Sequence, residues 1–149
     1  MSDLEFHAAA LADGIQAALP GWVVACVERV MRAWSGELTP AIAAAARSAG
    51  ERAGREVGAA VRELLGRDID DQRTTPLSLV RRAVSYPAEV LAAAGVPAVK
   101  RDAFAERSFP DDVYGLSPAS FADVDPSLGE IALAWGAAKA FEHKRRHRR

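Results

Sequence analysis

The stretch from Phe109 to Asp125 holds the densest set of side chains able to do chemistry. Asp111, Asp112, Tyr114, Ser117, Ser120, Asp123 and Asp125 all fall within it. Carboxylates in such numbers can coordinate a hard cation or share acid–base work. Their order argues against both. A calcium loop sets its carboxylates in a fixed order around a glycine, and Asp-Asp-Val-Tyr-Gly lacks that order. No histidine stands near Ser117 or Ser120 to act as a base. The same residue types are also natural caps and turn formers, Asp ahead of a helix and Ser ahead of Pro. A long segment of this kind tends to be functional. Its plain reading is therefore caps and turns; its candidate functional use is as a partner-docking loop through Asp111, Asp112, Tyr114, Asp123 and Asp125, with catalysis there the remoter use.

A second candidate lies at the C-terminus. His143-Lys144-Arg145-Arg146-His147-Arg148-Arg149 holds five basic side chains and no acid. Clustered Lys and Arg release counterions from phosphates and bind nucleic acid without choice of sequence. Lys144, Arg145, Arg146, Arg148 and Arg149 would form such a tail. No aromatic follows Phe141, so base stacking is not indicated. The plainer use is a solubilising end whose charges suit the negative pole of a helix dipole. His143 and His147 are one helical turn apart, but the cations around them repel a divalent ion. No metal site is expected. Cys26 sits between Ala25 and Val27 and reads as a small buried hydrophobe. The chain has no P-loop, no GxGxxG after a strand, no CxxC and no GxSxG. No cofactor and no catalytic residue is assigned. The run Ala92-Ala93-Ala94-Gly95-Val96 looks like the turn of a helix-turn-helix. However, Lys100-Arg101-Asp102 stands where the second helix needs an apolar residue.

The elements that must position these residues read as helices. Gly50, Gly54 and Gly58 recur every fourth residue between Pro40 and Leu65. Together they weaken a helix by roughly 3 kcal/mol relative to alanine. Glycines four apart clear one helical edge, so another backbone can approach closely. The neighbour is either a helix of the same chain or a second copy. Thr39-Pro40 supplies the cap and first-turn proline of this helix, and Thr75-Pro76 repeats the signal. Before it, Leu4, Leu11, Ile15 and Leu19 share one face. Pro20-Gly21 is expected to end that helix and start another from Trp22 to Trp34, making an antiparallel hairpin. A break or kink is expected at Tyr86-Pro87, and a helix stop at Gly95. A short helix from Asp102 to Ser108 should turn Phe104 inward. The last helix starts at Asp125-Pro126 or Ser127, with Leu128, Ile131, Ala132, Trp135, Ala138 and Phe141 as its inner stripe. The three tryptophans, Trp22, Trp34 and Trp135, read as core anchors.

Hydrophobic residues make up 50% of the 149, and 32 of the residues are alanine, the best helix former and a weak core filler. No alternating pattern supports strands. The expected fold is all-α: an irregular bundle of five or six helices, with the Pro40–Leu65 helix as its spine. Residues 1–142 should form one helical domain and 143–149 a basic tail. The net charge of −1 excludes a general polyanion binder. One cysteine excludes a disulfide framework, and Asp3 and Glu5 stand where a signal peptide needs positive charge. A soluble cytoplasmic protein without a membrane partner is expected. Its Ala/Arg-rich usage looks like that of a GC-rich bacterial genome, which says nothing about role. The first functional expectation is a non-enzymatic interaction protein, self-associating or docking another protein through the Gly/Ala seam and the acidic loop. The second is an RNA- or ribosome-associated accessory using the basic tail. The third is a small enzyme built on the aspartate-rich loop.

Overall fold

The computed structural model describes residues 2–67 and 74–147. Among them run six α-helices: α1 (Asp3–Trp34), α2 (Pro40–Leu65), α3 (Pro76–Arg81), α4 (Ser85–Ala93), α5 (Ala103–Ser108) and α6 (Pro126–Arg146). Short 3₁₀ turns stand at Arg82–Val84 and Phe121–Asp123. The all-α class holds, but the spine is α1. It packs along α2 for most of its length and also touches α4 and α6.

The expected hairpin between residues 19 and 22 does not form. Pro20 lies inside a single helix. It removes one i→i−4 bond and crowds the carbonyl of Gln16, yet the chain continues. The reason is the apolar stripe. Leu11, Ile15, Leu19, Val23 and Val27 are fully buried and keep one helical phase across the proline. A turn at Pro20 would have lifted half of that stripe off the core. Joined in this way, α1 contains an 18-residue window of mean hydropathy 1.4, apolar enough by length and composition to cross a membrane. In the fold, 44% of that window is buried inside the protein.

Caps explain the other boundaries. Ser2 and Glu5 form a capping box on α1. Thr39 caps α2, with Pro40 in its first turn, and Thr75 does the same for α3 with Pro76. The break expected at Pro87 falls slightly earlier. Pro87 sits within α4, and the tightened turn at Arg82–Val84 precedes it, where a proline ring crowds the carbonyl four residues back. Gly95 adopts φ +83° and ends α4. The Val96 N–H donates to the Leu91 carbonyl and the Gly95 N–H to that of Ala92, closing a Schellman motif over buried Val96 and Leu91.

Three aromatics depart from expectation. Trp34 is 50% exposed at the end of α1, and Phe104 is 65% exposed on α5, a helix with no buried residue. Phe141 is 67% exposed, off the inner stripe of α6. Trp22 is buried, while Trp135 is half-buried with Lys139 over its ring. Because α5 is six residues long and unburied, the helix-turn-helix reading has no second helix to rest on.

Candidate functional site

The glycine seam is an intramolecular joint. A Cβ on Gly50 would stand 2.7 Å from the Pro20 carbonyl oxygen and 3.0 Å from its Cα. On Gly54 it would stand 2.9 Å from the Gln16 carbonyl oxygen and 3.2 Å from Pro20 Cγ. On Gly58 it would meet the Gln16 side chain at 2.9 Å. All three glycines are buried against α1. The Gln16 carbonyl is the one that Pro20 deprives of its usual N–H donor. The seam therefore grips α1 at its proline, and the proline and the glycines are two halves of one contact. Arg62 pairs with Asp13 at 2.7 Å beside it. On the flank of α2, Arg52 pairs with Glu89 of α4 at 3.1 Å, and the Tyr86 hydroxyl donates to Glu56.

Three of the four aspartates of the 109–125 segment, Asp112, Asp123 and Asp125, are dispersed among backbone partners. Buried Asp112 accepts from the N–H groups of Leu116 at 2.6 Å and Ser117 at 2.8 Å. Asp123 accepts from Ala119 and Ser120, and Asp125 caps α6 through the N–H and hydroxyl of Ser127. Those bonds from Ser127 hold the Asp125 carboxyl below the usual carboxylate range. The buried Tyr114 hydroxyl donates to the Val96 carbonyl at 2.8 Å, and burial pushes that phenol up. Two arginines clamp the same segment. Arg81 donates to the carbonyls of Pro118 and Ala119, and Arg101 to that of Phe109 at 2.6 Å. Asp111 opens on a cleft of about 250 Å³ shared with Ser78, Arg81 and Arg82. Asp123 opens on a different one, beside Cys26 and Arg29. The two are not brought together. Burial raises the Cys26 thiol to about 11, ahead of the opposing pull of Arg29, so it stays protonated. Among the described residues no group of three or more His, Cys, Asp or Glu side chains could hold a metal ion.

The basic tail continues α6 without a break as far as Arg146. Lys144 is exposed, Arg145 pairs with Glu142, and the rings of His143 and His147 lie tilted against each other with centroids 4.4 Å apart. Arg148 and Arg149 lie outside the described residues, as do Asp68 to Asp71 beyond the end of α2.

What the sequence reading missed is the outer side of α6. This helix rests on α1 and on the 3₁₀ turn before it, seated where Gly14 leaves room. A Cβ there would stand 2.9 Å from Leu128 and 3.2 Å from Ile131. Leu128 is its one fully buried residue. The opposite side presents Glu130, Leu133, Ala137, Ala140, Phe141 and Lys144 to solvent, with Leu133 75% exposed. Next to it runs a groove of about 470 Å³ between α6 and the first turns of α1, lined by Leu4, His7, Ala134, Ala137 and Phe141 together with the acids Asp3 and Glu142. Phe6, 60% exposed, stacks edge-on against His7 at its rim. The signal was present in the spacing. Residues 130, 133, 137, 140 and 144 alternate steps of three and four, a heptad stripe phased away from the core stripe. Comparison with protein-family models, with curated proteins and with solved structures finds no match to this chain.

Proposed function

We propose that this chain is a non-enzymatic interaction protein that docks a protein partner through the outer face of α6. The supporting observation is that face itself. Leu133 and Phe141 stand largely exposed beside a mostly apolar groove on a helix that leans on α1 and on the turn before it. Large apolar side chains grouped in this way mark contact surfaces. The backbone bonds of Asp112, Asp123 and Asp125 and the core burial of Cys26 add support, since each is already used to hold the fold. The docking surface thus shifts from the glycine seam, which α1 covers, to α6.

Immobilised chain offered a cell lysate at low and at high salt tests this. A defined partner should survive high salt and be lost from Leu133→Glu, a substitution at a site that tolerates charge for folding. Binding that vanishes at high salt, or that Leu133→Glu leaves intact, rejects it.

A second reading rests on Lys144, exposed on the helical extension of α6 among the tail cations. It assigns the tail to phosphate contacts on RNA. Retention on heparin should then fall steeply with salt and disappear on removal of residues 143–149.

A further inference from the structure

We infer that the partner at the outer face of α6 is a second copy of this chain, its α6 antiparallel to the first about a two-fold axis at Ala137. The inference rests on the docking reading above and names its occupant. The face is self-complementary when reversed end for end. Around Ala137, position 133 exchanges with 141, so Leu133 of each copy meets Phe141 of the other. Position 130 exchanges with 144, so Glu130 meets Lys144. All of these residues are exposed on one side of α6. Ala134, Ala137 and Ala140 fill the middle and let the two helices approach closely. A two-fold interface requires this pattern, in which residue i contacts j and j contacts i. Charge selects the direction. Asp123, Asp125 and Glu130 cluster at the start of α6, and Lys144, Arg145 and Arg146 outnumber Glu142, the partner of Arg145, at its end. Antiparallel packing sets each cluster against its opposite, whereas parallel packing would lay like charges side by side. The groove beside Phe141 lies where Leu133 of the second copy arrives. One helix face is a small interface, so the dimer is weak and forms with rising concentration.

Sedimentation of the full chain from about 1 µM to about 500 µM reads the equilibrium. The expected result is a shift from one to two chain masses, abolished by Leu133→Glu. Glu130→Lys and Lys144→Glu should each weaken the dimer about tenfold, and the double substitution should restore it. Ala137→Cys should self-cross-link under mild oxidation in the absence of any partner, while the parent chain, with Cys26 buried, should not. A single chain mass throughout overturns the inference. So does a dimer indifferent to Leu133→Glu, or one in which the double substitution is weaker than either single one. A monomer that still captures a partner in a Leu133-dependent manner would overturn the second copy as occupant and leave the docking reading in place.

Discussion

Asp112, Asp123 and Asp125 show how little a residue type decides until its partner is known. All three attract attention as carboxylates in a short acidic stretch, and all three accept from backbone N–H groups within five residues. The sequence carried both uses, because Asp before Ser or Pro is as much a cap as a catalyst. Asp125 allows a test. Its carboxyl titrates below the ordinary range in the folded chain because Ser127 bonds the charged form. A group with a lowered folded pKa stabilises above its unfolded pKa, and that contribution is lost as pH falls through the folded value. Asp125→Ala should therefore lower Tm at neutral pH, and its gap from the parent should narrow as pH falls below the carboxylate range. A gap that stays constant down to pH ~2 would remove this account of the α6 cap.

At the scale of elements, helix starts were legible, because Thr-Pro and Asp-Pro write the cap and the first turn into adjacent residues. The stop at Gly95 was legible for the same local reason. Pro20 was not. Its local signal says break, and a core stripe that spans both sides outweighs it. The phase of that stripe would have settled the matter in advance: Ile15, Leu19, Val23 and Val27 never lose step. The seam was legible as a close contact, but its partner was not, since sequence spacing cannot say which backbone lies opposite. The contact predicts opposite outcomes for one substitution. Gly50→Ala drives a methyl into the Pro20 backbone and should destabilise by about 1–3 kcal/mol. Gly21→Ala meets nothing within 4 Å and should stabilise by about 0.5–1 kcal/mol. Denaturant melts of the two variants check this, and equal shifts would show that the seam is loose.

Across the whole molecule, attachment is uneven. α1 buries ten residues and α6 buries one. Local opening follows such differences, with poorly buried elements opening below the global free energy. Amides of α6 should thus exchange with solvent well before those of central α1, around Ile15 to Val27. Should α6 pair with a second copy, that exchange should slow as concentration rises while α1 stays unchanged. Uniform protection across both helices would contradict the loose seating of α6. The exposed side of α6 went unread because Phe141 follows Ala138 of the inner stripe by three residues, a helical step, although it lies nearer the outer face. A side chain at the boundary of two faces goes to whichever neighbour is present, and that is a property of the assembled bundle.

The grip of the glycines on Pro20 has an outcome for inheritance as well as for packing. Two smooth rods can slide past one another by a turn and still bury similar area. Here a slide by a turn would bring Ala46 or Arg62, each carrying a Cβ, to a place where a bare backbone must pass, so the observed alignment is the favoured one. Losing or gaining a single residue anywhere between 50 and 58 would scramble that alignment, even if every substitution there were conservative in size and polarity. Descendants of this chain should therefore vary in spelling along these two helices but keep the four-residue step between the gaps that clasp the proline.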